Sequence, residues 1–317
     1  MSYLIQFLAP RSPLEQTALL VLTVLAAASL LVALLRWQKP GRDFGELAAR
    51  INSWWVMAGV FFGALAIGPK TTLVLFGLLA FWALKEFLTL LKTRPADHRA
   101  LALSFLAIPV QFYWAAIGWY GMFIIFIPIF MFLLLPLRLA LKQETDGFVA
   151  SAAQIQWGLM AFVFGLSHLG YTLILPAQSG QPYADGRALV LFLFCVVELS
   201  DVLQYVWGKS LGRHAILPRV SPNKTWEGFA GGIASTVLCS LALRGLTPFT
   251  VSETLLVAAL ITLAGFAGGA VMSAVKRDFG VKDFGTMIPG HGGVLDRVDS
   301  LCYAAPVFFH YLWRFHY

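Results

Sequence analysis

Uninterrupted apolar stretches recur along the whole chain, and no other feature restricts its fold as much. A helix needs about 20 apolar residues to cross the hydrocarbon of a bilayer. Lipid offers no partner for an unpaired backbone group, so each such run must close its own hydrogen bonds as a helix. With 59% hydrophobic and 12% charged residues over 317 positions, a soluble fold is excluded and a polytopic membrane protein is implied. The pattern predicts an all-α chain of ten transmembrane helices near residues 17–36, 53–68, 71–91, 101–118, 121–141, 152–175, 188–207, 228–245, 253–275 and 299–314. Short turns at Pro69-Lys70 and Trp119-Tyr120 leave room for merged or re-entrant segments. The first run is too long for a signal peptide and lacks a small-residue cleavage pattern, so it reads as a retained span. No linker suits a separate soluble domain. The weakest boundary, near 143–150, divides N-terminal helices at 1–147 from a motif-bearing region at 148–317, and one integrated membrane domain accommodates both.

Loop charge sets the expected orientation. With the N-terminus outside, the inner segments carry 17 basic residues, among them Arg36, Arg42, Arg50, Arg94, Arg138, Lys209, Lys224 and Lys276. The outer segments carry 5: Arg11, Lys70, Arg187, Arg244 and Arg314. That asymmetry follows the positive-inside rule and leaves both termini outside. The same rule accounts for the net charge of +7 without nucleic acid, for which no basic and aromatic surface is present. Cys195, Cys239 and Cys302 all fall in apolar runs and read as packing residues.

Two polar loops, Gly208 to Glu227 and Lys276 to Asp296, fall on the same predicted side. The second places Lys276, Arg277, Asp278, Lys282, Asp283, His291, Asp296, Arg297 and Asp299 around a Pro-Gly-His-Gly-Gly turn. Carboxylates with nearby cations suit a phosphate and a divalent ion, because Mg²⁺ completes its shell with water and substrate phosphate and Lys or Arg neutralises the remaining charge. The plain alternative is a basic loop with a glycine turn. In the first loop, Ser221-Pro-Asn-Lys-Thr-Trp-Glu-Gly228 precedes an apolar run. Helix capping explains Thr225 and Glu227; Asn223 and Lys224 favour a phosphate-binding helix start. Upstream, Glu198 and Asp201 interrupt an apolar span, with Tyr205 one turn beyond Asp201. Acids at membrane depth read first as functional, with a partnered structural acid as the alternative. Lys85 and Glu86 raise the same question, although a snorkelling pair would also fit. His98, His168, His214, His310 and His316 show no ligand spacing, whereas His291 either touches phosphate, moves a proton or fixes its turn.

The segment Ser273-x-x-Lys-Arg-x4-Lys-Asp-x5-Pro-Gly-His-Gly-Gly-x-Leu-Asp-Arg-x-Asp299 resembles the signature of the phosphatidate cytidylyltransferase, or CDP-diacylglycerol synthase, family. Ser221 to Gly228 and the Asp201-x3-Tyr205-x2-Gly208-x3-Gly212 segment are similar to its other motifs, and Trp82 to Phe87 to a family helix bearing an acid. The resemblance implies a membrane enzyme that joins CTP to phosphatidic acid with Mg²⁺, with or without a monovalent cation. It would sit in the bacterial inner membrane, face the cytoplasm and pair as a homodimer. It implies Asp296 as the leading metal ligand, assisted by Asp299, Asp283 and Asp201. Lys224, Lys276, Arg277, Lys282 and Arg297 would hold phosphates, His291 would serve the reaction, and Ser221, Asn223, Thr225 and Tyr205 would support the nucleotide. One departure stands out. Family members carry Gly-Asp-Leu-x-Glu-Ser, whose Asp is a metal ligand, where this chain has Gly268-Gly269-Ala270-Val271-Met272-Ser273. A paralogue that binds but no longer catalyses, or a transporter, are the alternative functions.

Overall fold

Each apolar run closes as a helix in the computed structural model, which describes residues 12–39, 43–179 and 185–317. The helices are α1 (Pro13–Gln38), α2 (Gly45–Ile67), α3 (Pro69–Leu90), α4 (His98–Ile117), α5 (Tyr120–Ala140), α6 (Phe148–Gln178), α7 (Gly186–Leu211), α8 (Trp226–Leu246), α9 (Val251–Asp278) and α10 (Leu295–Phe315). Among the described residues nine of them are long and apolar enough to cross a membrane. The tenth, α10, carries Asp296, Arg297 and Asp299 in its first turns, which lowers its hydropathy while one face of the helix is buried. A short antiparallel hairpin, β1 (Ala215–Leu217) and β2 (Ser221–Thr225), links α7 to α8. Arg11 and Arg42, used above for loop charge, lie outside the described residues.

The centre is built by α6 and α10. Leu166, Leu169 and Tyr171 of the first and Phe308, Phe309 and Leu312 of the second are fully buried. Their neighbours α3, α4, α7 and α9 wrap this pair. The outermost helix is α1, with Leu20, Val24, Leu30 and Leu31 mostly exposed. It begins with a capping box between Ser12 and Glu15, and Trp55 Nε1 donates to its Ser29 Oγ at 3.0 Å.

Buried polar side chains repair the backbone where proline interrupts it. In α5 the turn Phe126–Met131 widens to π geometry at Pro128, which has no N–H to give the carbonyl five residues back. That carbonyl, Phe123 O, accepts from Gln111 Nε2 of α4 at 3.0 Å. Gln156 Nε2 of α6 donates to Ile127 O at 3.0 Å. Three helices are thereby locked together by groups that lipid could not satisfy.

A close, glycine-lined contact between α7 and α8 aligns the hairpin. Gly208 and Gly212 end α7 while Gly228 and Gly232 begin α8, four apart on one face of each helix. Such spacing lets backbones approach closely. A Cβ at Gly228 would meet Gln204 O at 2.8 Å, and one at Gly232 would collide with the Gln204 side chain. Gly232→Leu is therefore expected to destabilise the protein by about 1–3 kcal/mol, whereas Gly59→Leu, which faces open space, is not. Thermal unfolding of the two variants in detergent measures the difference, and equal melting temperatures would remove the packing role of this face.

Candidate active site

The Pro-Gly-His-Gly-Gly segment forms a turn that its residue types dictate. His291 N donates to Ile288 O at 2.9 Å, with Pro289 next and Gly290 at φ +75°. Proline then glycine at positive φ is the type II arrangement. Ile288 N returns to Gly292 O at 2.8 Å. From α2, Ser53 Oγ donates to Pro289 O at 2.8 Å, and the Trp54 ring meets His291 edge-on at 6.0 Å. Burial, with the nearby charge of Arg297, holds the His291 imidazole below its usual range.

Asp296 organises the loop that carries this turn. Its Oδ1 accepts from Lys276 Nζ at 2.9 Å, and its Oδ2 accepts from Phe284 N at 2.8 Å and Gly293 N at 2.9 Å. Both oxygens are thus engaged within the protein, and the residue is buried. Glu86 of α3 does the same for the next two amides. Val294 N donates to its Oε1 at 3.0 Å and Leu295 N to its Oε2 at 2.8 Å. A carboxylate at a helix start meets the positive end of the helix dipole, and here it caps α10 from 208 residues away. Gly285 and Gly293 leave the space: a Cβ on Gly285 would lie 2.7 Å from Glu86 Oε1, and one on Gly293 would overlap the carboxylate.

Beyond the capped start, four segments meet. From α10, Asp299 Oδ1 lies 3.5 Å from the Ser300 hydroxyl, which donates to Asp201 Oδ2 of α7 at 3.1 Å. Both carboxylates therefore flank one hydroxyl. From α9, Gly269 faces the same space: a Cβ there would stand 2.8 Å from Lys224 Nζ and 3.7 Å from Ser300 Oγ. The Lys224 ammonium, brought in by β2, lies 4.7 Å from the Phe266 ring centre. No carboxylate pairs with it directly among the described residues. Burial pushes it below its usual range, with Lys276 adding to that effect and Asp201 and Asp299 opposing it. Glu198 and Arg297 belong to the same electrostatic neighbourhood, and Arg297 Nε is buried with no hydrogen-bond partner.

Thus Asp201, Lys224, Lys276, Asp296, Arg297 and Asp299 come together as the sequence expects. Other expected site residues point elsewhere. The exposed Tyr205 accepts from Lys209 Nζ at 3.2 Å. Thr225 caps α8 by accepting from Gly228 N at 3.1 Å, and Arg277 Nε donates to Val220 O at 3.2 Å. Asn223, Lys282 and Asp283 are exposed and Ser221 is half-buried in β2. Asp283 nevertheless borders the glycine turn, 3.1 Å from a Cβ built at Gly292. Sequence reasoning missed Ser300, Ser53 and the capping role of Glu86. An acid inside an apolar run marked Glu86; nothing local marked the other two.

The metal assignment can be tested against these donors. Among the described residues no three His, Cys, Asp or Glu side chains form a group that could hold an ion. Asp201 and Asp299, joined through Ser300, do fit Mg²⁺, which takes one or two protein carboxylates when phosphates and water supply the rest.

Removing the Glu86 charge should loosen the loop and α10 together. Glu86→Gln leaves one of two backbone donors poorly matched in a buried place, at a cost of about 1–3 kcal/mol. Lower thermal stability with faster proteolysis between residues 279 and 294 is the expected result; unchanged behaviour in both would mean that the cap carries no weight.

Comparison with known proteins covers the whole of this arrangement. The model of the cytidylyltransferase family matches residues 48–315. The chain is 40% identical over 301 residues to the uncharacterized protein YnbB of Escherichia coli strain K12, covering 94% of this chain and 98% of the relative. It is 33% identical over 259 residues to the phosphatidate cytidylyltransferase of Staphylococcus haemolyticus, covering 80% and 94%. With the corresponding enzyme of Staphylococcus saprophyticus it shares 37% identity over 154 residues, 48% of this chain and 59% of that one. Since the match takes in every segment that builds the site, from Glu86 on α3 to Ser300 on α10, the chain belongs to the cytidylyltransferase family.

Proposed function

We propose that the protein transfers the cytidylyl group of CTP to phosphatidic acid, giving CDP-diacylglycerol and pyrophosphate, at the cytoplasmic face of a bacterial inner membrane. The observation that carries this reading is Lys224. Its ammonium is partly buried, has no carboxylate ion-pair partner among the described residues, and has Asp201 and Asp299, the acids that fit a divalent ion, as charged neighbours. An ammonium so placed is available to an incoming phosphate. Arg297, whose Nε lacks a partner, offers a second donor, whereas Lys276 stays committed to Asp296.

In the proposed reaction a lipid phosphate oxygen forms a bond to the α-phosphorus of CTP. The bond from that phosphorus to the bridging oxygen breaks, and pyrophosphate leaves with the electron pair. No side chain needs to become covalently bound, so the chain's contribution is placement and charge neutralisation. Lys224 and Arg297 would hold phosphate oxygens, and Asp201 and Asp299 would hold Mg²⁺, which when bound would supply further positive charge to the phosphates. His291, whose ring nitrogen lies 3.4 Å from Pro289 O, serves as an element of the turn. A homodimer is part of the proposal.

A second reading rests on Gly269. The position that carries a metal-binding Asp in the resemblance has no side chain here, and Lys224 Nζ lies beside it. A protein that binds CTP and lipid phosphate without turning them over would show this departure.

Purified protein incubated in detergent with CTP, phosphatidic acid and Mg²⁺ is expected to make CDP-diacylglycerol. Lys224→Ala should lower kcat/KM by about 10²–10³, and Asp299→Asn should weaken the Mg²⁺ dependence. Nucleotide binding without product would favour the second reading, and directed flux in proteoliposomes without CTP chemistry would favour a transporter. Gly269→Asp separates the first two. It raises turnover if a missing ligand limits the enzyme, and lowers CTP affinity with no gain in rate if the new carboxylate simply pairs with Lys224.

A further inference from the structure

A second cationic groove lies on a flank that contributes nothing to the site above. It is formed by α4 and α5, encloses about 370 Å³ and is lined by Arg99, Ala102, Leu103, Leu106 and Arg138. The four α4 residues are spaced i, i+3, i+4 and i+7, one continuous helical face. Arg99 stands at the start of that helix and Arg138 in the last turn of α5. Both belong to the end of the bundle where α3 presents Glu86, so the groove opens at the same membrane face as the site. At 1.5 Å per residue the face runs about 10 Å inward from Arg99 to Leu106.

Two features identify the occupant. First, neither guanidinium has an ion-pair partner among the described residues. The nearby acid Asp97 is taken by Arg94 at 2.8 Å and by Ser151 Oγ at 3.1 Å. Two unpaired arginines converging on one groove attract an anion, and the guanidinium fork matches phosphate oxygens. Second, the surface below them is apolar and lies on the lipid-facing flank. Leu106 is 60% exposed, and Leu133 and Leu137 of α5 are 62% and 58% exposed. A soluble phosphate would use the arginines and leave these leucines bare.

We propose that this groove binds an anionic membrane phospholipid. Its phosphate sits between Arg99 and Arg138, and its glycerol and first methylenes lie along Ala102, Leu103 and Leu106. Basic pockets between helices at a membrane face hold such headgroups. The site is separate from the proposed lipid acceptor, and it stands whether or not the protein turns over CTP.

Phosphatidylglycerol is the suitable probe, because its phosphodiester cannot act as a phosphomonoester acceptor. Native mass spectrometry of the full chain in neutral detergent should show one phosphatidylglycerol retained in preference to phosphatidylcholine. Arg99→Gln with Arg138→Gln should weaken retention about tenfold or more, while Lys224→Ala should leave it unchanged. Inorganic phosphate alone should not reproduce the thermal stabilisation that the lipid gives. If the double variant does not fold, the single variants carry the test, each expected to lose about fivefold. Retention unaffected by both arginines, equal retention of phosphatidylcholine, or stabilisation by inorganic phosphate alone would overturn the proposal.

Discussion

The carboxylate of Glu86 against the first amides of α10 is the contact on which the rest of the site depends. An acid buried in an apolar bundle is costly unless its charge is met. Here it is met by Val294 N and Leu295 N rather than by a cation. That choice fixes the height and rotation of α10 relative to α3, and Asp299 and Ser300 follow one turn further along. It also dictates the loop. Gly285 and Gly293 must lack side chains for the carboxylate to fit, and Asp296 must turn its oxygens back to Phe284 N and Gly293 N. Two acids thus hold four backbone donors of one segment, and Lys276 balances the second acid.

The global fold was legible because lipid permits so few solutions. Ten apolar runs became ten helices, and the polar loops met at one end because the alternation of helices required it. The Pro289-Gly290 turn was equally readable, since proline and glycine restrict their own backbone. What local pattern could not supply was pairing across distance. Glu86 and Lys85 are adjacent in sequence and looked alike, yet the first is buried as a cap while the second is exposed with its Nζ 4.2 Å from the Trp82 ring centre. Asp296 and Asp299 likewise read as ligands of one metal, with Asp296 leading. Three residues apart, they share a helix face, but the loop reaches only Asp296 and takes both of its oxygens, leaving Asp299 toward Asp201. The roles of Thr225 and Arg277 shifted for a related reason: a helix start and a tight hairpin each use the side chain that is nearest.

Gly269 shows how a missing side chain can alter a site by changing its charge. A carboxylate there would place a negative charge next to Asp201 and Asp299 and draw Lys224 into an internal pair. Glycine does neither. The Lys224 ammonium lies beside the bare backbone with no carboxylate ion-pair partner among the described residues, and the neighbourhood is about one unit more positive than it would be with the acid present. Coulomb interactions in partly buried surroundings are several-fold stronger than in water, so this one position shifts the preference of the space away from an added cation and toward a phosphate. Asp201 and Asp299, the two carboxylates retained, would still suit a divalent ion under the proposed reading. Under the proposed reading, metal and nucleotide binding would be coupled, since each would supply charge that the other requires.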